Sequence, residues 1–183
     1  MIGADNQQER LLDLPAANSY QELKKLDEES MKYFLAGFVD GEGSFNVSFA
    51  KHPTLRSGWI VLAKFQIYQH KNHHDLLELF REVLGAGRID KKSGSDVLSL
   101  TVEGRDNLIQ KIIPFFEQYP LATKADAFRK FAIIVYMMDE GLHRNREGFE
   151  RIVRLAHSMN AEGRFRIHSI EYILDTARDK FKI

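Results

Sequence analysis

Residues 35–43 read LAGFVDGEG, and no other stretch of the chain restricts its fold so tightly. Leu35, Phe38 and Val39 recur at helical spacing, while Gly37 and Gly41, four apart, leave one stripe of the same helix without side chains. Where Cβ atoms are missing, a second helix can approach at near-backbone distance, and a second bare stripe is its natural partner. Gly43 breaks the helix, and SFNVSFAK follows in strict alternation. A strand therefore begins directly beneath Asp40 and Glu42, which the sequence places at a helix end.

The periodicity along the rest of the chain predicts a definite order of elements. The first 30 residues read as an extension with one or two short helices, and residues 31–183 as a single domain. The motif helix runs from near Asp27 to Gly41, followed by strands over Ser44–Lys51 and Trp59–Gln69. NHHDLLELFREVLG is an amphipathic helix closed by Gly85, and GRIDKK with DVLSLTV forms a second hairpin around Ser93, Gly94 and Ser95. Helices are then expected from Asp106 to Phe116, Thr123 to Asp139, Asn145 to Met159 and Ile167 to Arg178. The order αββαββα with trailing C-terminal helices implies an α+β fold, an antiparallel sheet covered by helices on one face.

A single copy of the motif is present. FAIIVYMMDEG (131–141) combines apolar residues, acids and a glycine but has no small-residue pair, so it reads as an ordinary core helix. The chain is also short for two tandem domains of about 100 to 200 residues each. A second subunit must then cover the glycine stripe, and a two-fold homodimer supplies it most simply. Leu35, Gly37, Phe38 and Gly41 are the residues expected at that interface.

Composition excludes several classes of function. With no cysteine there is no disulfide framework and no thiolate metal site. The longest apolar run is far below the roughly 20 residues of a membrane-spanning helix, so no membrane partner is expected. The acidic N-terminus (Asp5, Glu9, Asp13) lacks the pattern of a secretory or transit signal. A bacterial cytoplasm, or synthesis inside a chloroplast or mitochondrion, is the expected setting. Lys plus Arg equal Asp plus Glu at 26 each, but the charge is uneven: the first 30 residues hold seven acids and three bases, leaving the remainder at plus four. A locally basic face for phosphate is compatible with this balance.

The motif resembles the namesake sequence of the LAGLIDADG homing endonucleases position by position, with Glu42 at the family's eighth, acidic position. The resemblance extends from about Ser30 to Asn160. It implies an αββαββα core whose antiparallel sheet forms a DNA-binding saddle, with two motif helices packed side by side and the acid of each binding a divalent cation over one DNA strand. Glu42 and the Gly41 carbonyl would be the ligands of Mg²⁺ or of a related cation such as Mn²⁺. Asp40, earlier on the helix, is expected to hydrogen-bond neighbouring backbone instead. The family's glutamine at the end of the second strand falls on Gln69, which would position the nucleophilic water. Its lysine falls on Lys124 within PLATK, to stabilise charge on the phosphate. A basic residue common four positions after the glutamine is replaced by His73, and the frequently doubled lysine by Ala125.

One sheet face must then read DNA. Alternation turns Phe45, Val47 and Phe49 to the core and leaves Ser44, Asn46 and Ser48 on the other face, with Lys64, Gln66 and Tyr68 beside them. β-Ribbons fit the major groove, where Asn and Gln pair with adenine edges and Lys and Arg with guanine. Arg88 and Lys92 of the second hairpin join this set, and Arg144, Arg146, Arg151, Arg154, Arg164 and Arg166 are candidates for flanking phosphates. His70, Asn72 and His73 lie in one short connection, too close for an HNH nuclease site, and His70, His73 and His74 lack a further spaced ligand for zinc. By resemblance, the expected function is site-specific cleavage of both strands of a long, roughly palindromic target, leaving short 3′ overhangs, by an intron-encoded protein. An RNA-binding maturase and a non-cleaving regulator on the same fold are the alternatives.

Overall fold

The computed structural model describes residues 19–159 and 167–178. Its elements run α1 (Ser19–Leu23), α2 (Glu28–Glu42), β1 (Gly43–Lys51), β2 (Trp59–His70), α3 (His74–Leu84), β3 (Arg88–Lys91) and β4 (Val97–Glu103). The helical segment α4 over residues 105–118 follows, then α5 (Ala125–Asp139), α6 (Arg146–Met159) and α7 (Ile170–Arg178). The four strands form one antiparallel sheet in the order β1-β2-β4-β3. The α+β fold and the αββαββα order are as the sequence predicts.

Local chemistry sets the boundaries. Asp27 caps α2, its carboxylate accepting the Ser30 N–H at 2.9 Å. Gly85 ends α3 in the left-handed conformation at φ 62°, and Asn145 Oδ1 accepts the Gly148 N–H at 2.8 Å at the start of α6. Inside α4 the residues Leu108–Ile112 form a π turn just before Pro114, which has no N–H to give to the preceding turn. The last helix starts at Ile170 rather than Ile167, with Ser169 Oγ accepting the Tyr172 N–H at 3.2 Å. Arg164 and Arg166 lie outside the described residues.

The core fills one side of the sheet. Phe45 and Phe65 on neighbouring strands have ring centroids 5.3 Å apart, and Phe45 also meets Phe116, Phe128 and Phe131 at 5.3–5.4 Å. Helix α2 contributes Met31, Leu35, Ala36 and Val39 to this core. Leu35 is fully buried there, which corrects its expected place at a subunit interface: it points into its own chain. The requirement for Gly43 also differs from expectation. Its φ of −83° is ordinary, but a Cβ would lie 2.5 Å from Val39 Cγ1 and 2.8 Å from the Val39 carbonyl oxygen. The strand leaves the helix so abruptly that only glycine fits.

Candidate active site and nucleic-acid interface

The end of α2 meets the start of α5. The Asp40 carboxylate accepts three successive backbone N–H groups, from Ala122 at 2.8 Å, Thr123 at 3.0 Å and Lys124 at 2.9 Å, and the Thr123 hydroxyl at 3.1 Å. Desolvation pushes its pKa up, but the N–H groups of Lys124, Thr123 and Ala122 outweigh that and hold the carboxyl below the usual aspartate value. Asp40 thus bonds backbone, but not the neighbouring backbone expected: its donors belong to a segment more than 80 residues away, brought to it by the docking of α5 against the end of α2. In the opposite direction the Lys124 ammonium donates to the Asp40 carbonyl and, at 3.1 Å, to the Gly41 carbonyl.

Glu42 follows as the last helical residue, exposed and without a hydrogen-bond or ion-pair partner among the described residues. Exposure, a helix C-terminus and hard oxygen donors suit a Mg²⁺-type cation, which takes one or two carboxylates and completes its shell with water and phosphate. One chain offers only part of such a site. The Gly41 carbonyl is shared with Lys124, and no group of three or more His, Asp or Glu side chains capable of holding a metal occurs among the described residues.

Gly43 pairs with Ile67, so the end of β2 carrying Gln69 lies at the helix end carrying Glu42. The Gln69 amide turns back on its own chain, its oxygen accepting the His70 N–H at 3.0 Å. His73 is engaged elsewhere: its Nδ1 hydrogen-bonds the Tyr20 hydroxyl of α1, and the two rings meet edge-on with centroids 6.1 Å apart. His70 and His74 are likewise used locally, by the Asn72 N–H and by Glu78. The structure therefore brings Glu42, Gly41 and Lys124 together directly, whereas Gln69 and His73 are turned to other partners.

The open sheet face carries the predicted residues in register. Ser44 stands opposite Gln66 and Asn46 opposite Lys64, while Ser48 faces the exposed Leu62. Ser44, Asn46, Ser48 and Lys64 have no side-chain hydrogen-bond partners among the described residues. Gln66 is held on both sides: the Tyr68 hydroxyl donates to its amide oxygen at 2.9 Å, and its amide nitrogen donates to Thr101 Oγ1 at 3.1 Å. Burial pushes the Tyr68 phenol up.

Strands β3 and β4 add residues that the sequence reading missed. Thr101 pairs with both Gln66 and Arg88, and Ser99 with both Tyr68 and Asp90. Arg88 is gripped by two acids on this face, Asp90 at 2.6 Å and Glu103, so its guanidinium is not the free cation expected. The alternation in VLSLTVE was the signal that could have placed Ser99, Thr101 and Glu103 here. Lys92, exposed beyond β3, pairs its backbone N–H with Val97 at 3.0 Å. Arg144 and Arg146 are exposed at the α5–α6 connection, whereas Arg154 is bound to Glu150 at 2.7 Å.

A four-stranded antiparallel sheet, backed by helices on one side and polar on the other, thus carries an acid-tipped helix at its β1 edge. The LAGLIDADG endonuclease family model matches residues 35–135, and the chain belongs to this family. The homing endonuclease I-ApeII of Aeropyrum pernix is 30% identical over 67% of this chain and 72% of its own. DNA endonuclease I-CeuI of Chlamydomonas moewusii is 37% identical over 75% of this chain, which spans 64% of that protein's length. The solved structure of the archaeal intron-encoded homing endonuclease I-Vdi141I complexed with DNA superposes with a TM-score of 0.79 at 28% identity, over 84% of this chain and 98% of the other.

Proposed function

We infer that this chain is a homodimeric, metal-dependent, site-specific DNA endonuclease. The observation that carries the reading is the free Glu42 carboxylate at the helix end, one residue from a carbonyl bonded by Lys124, on a helix where a Cβ added at Gly37 or Gly41 would meet none of the described residues within 4 Å. Relatives described as DNA endonucleases, intron-encoded among them, support the same reading. Gly37 and Gly41 would receive the same stripe of a second copy, with the half-buried Phe38 at the margin, and bring the two Glu42 side chains together.

Glu42, with its counterpart from the second copy, would hold Mg²⁺ or Mn²⁺, which when bound would polarise the phosphoryl oxygen for attack by water as one P–O ester bond breaks and its oxygen leaves with a proton. The two carboxylates supply hard oxygen ligands. Gln69 orients the attacking water after its amide swings off His70, and Lys124 offsets negative charge gathering on the phosphate. The sheet face docks in the major groove, with Ser44, Asn46, Ser48, Lys64, Gln66 and Tyr68 toward base edges. Lys92 extends that surface, joined by Arg88 where the DNA displaces Asp90 and Glu103 from its guanidinium, and Arg144 and Arg146 contact flanking phosphates. Two-fold symmetry makes the target roughly palindromic.

Cleavage selection from a randomised duplex library in Mg²⁺, run beside Glu42→Gln, tests this reading. Wild type should enrich a long, near-palindromic site and the variant should cut it at least about 100-fold more slowly. Equal cutting by both would remove Glu42 from the reaction. No cutting by either would transfer the fold to an RNA-binding maturase or a non-cleaving regulator. Sedimentation of the DNA complex should give two chains per duplex.

A further inference from the structure

Two helix ends are exchanged at Asp40. The cap residue of α5, Lys124, makes no side-chain capping bond of its own, so this end depends on groups from elsewhere. Asp40, from the far end of α2, takes the N–H groups of Ala122, Thr123 and Lys124. Lys124 returns its ammonium to the last carbonyls of α2, those of Asp40 and Gly41. An anion thus sits at the positive end of α5 and a cation at the negative end of α2, each where the helix dipole favours it.

Lys124 is consequently held at both extremities, by its backbone N–H on the Asp40 carboxylate and by its ammonium on the adjoining carbonyls. We propose that Asp40 is a positioning residue for Lys124, fixing the backbone from which the lysine projects and, through it, the place of the ammonium beside Glu42. The proposal rests on the reading above, in which Lys124 and Glu42 act on one phosphate. Asparagine at position 40 keeps the size but loses the charge and one oxygen, so three converging N–H groups cannot all be satisfied. The segment 122–124 loosens, and the ammonium loses its fixed origin.

The test is a four-cornered comparison of wild type, Asp40→Asn, Lys124→Met and the double variant. Single-turnover cleavage of the selected duplex is measured in Mg²⁺, DNA affinity in Ca²⁺, and thermal unfolding on each protein. Asp40→Asn should slow cleavage about 10- to 100-fold, the scale of a misplaced catalytic group, with DNA affinity unchanged within about threefold. In the Lys124→Met background the same change should add less than about twofold, because its route to the reaction is already gone. Thr123→Val, which removes only the hydroxyl's bonds to the Asp40 carboxylate and carbonyl, should show a smaller effect of the same pattern and keeps the test open should Asp40→Asn fold poorly. An equal factor in both backgrounds, or slowing explained by lost affinity, would overturn the positioning role. Lys124→Met cutting as fast as wild type would instead refute the assignment of Lys124 itself.

Discussion

The two faces of α2 answer to different surroundings. The inner face, with Met31, Leu35, Ala36 and Val39, is buried against the sheet and the helices of its own chain. The outer face carries Gly37 and Gly41, where an added Cβ would meet nothing within 4 Å among the described residues. Gly43, two residues after Gly41, has the opposite environment, with Val39 pressed against the position its Cβ would take. One nine-residue motif therefore contains glycines kept for unlike reasons. Gly43 is needed for the chain to fold on itself, whereas nothing among the described residues requires Gly37 or Gly41.

Substitutions at these glycines should separate the faces cleanly. Gly43→Ala should lower stability by about 1–3 kcal/mol, the usual cost of forcing a methyl into filled space, read by thermal or denaturant unfolding. Gly37→Ala should do the reverse, stabilising the isolated chain by about 0.5–1 kcal/mol through helix propensity, while weakening self-association in sedimentation. Comparable destabilisation by both changes would erase the distinction. The smallest effect concerns Asp40, at the boundary of the two faces. Its folded-state pKa is depressed, so its contribution is present above the unfolded pKa and is lost as pH falls through the folded one. The melting temperature of wild type should therefore fall from about pH 5 downward more steeply than that of Asp40→Asn.

Much of the fold was legible because alternation and helical period repeat over long stretches, as in SFNVSFAK and DLLELFREVL. The partners of individual site residues were less so. Leu35 and Gly37 share a motif, but residues two apart point to opposite sides of a helix, so the glycine stripe cannot include the leucine. Asp40 meets its N–H donors more than 80 residues away, and Tyr20 reaches His73 across 53. Contacts of this kind depend on how whole elements dock, which no local pattern records. The acids around Arg88 illustrate the same limit. Asp90 lies beside it on the same strand, but Glu103 arrives only through the β3–β4 pairing.

Helix α2 ends at Glu42 and β1 begins at Gly43, with no residue between them. Such a junction has no slack, and it works as a stiff crank: a rotation of the helix becomes a tilt of the strand. In a two-fold assembly the crossing angle of the paired helices would then dictate the angle between the two sheets. The distance separating the two halves of a DNA target would be set at the glycines, far from any side chain that touches a base.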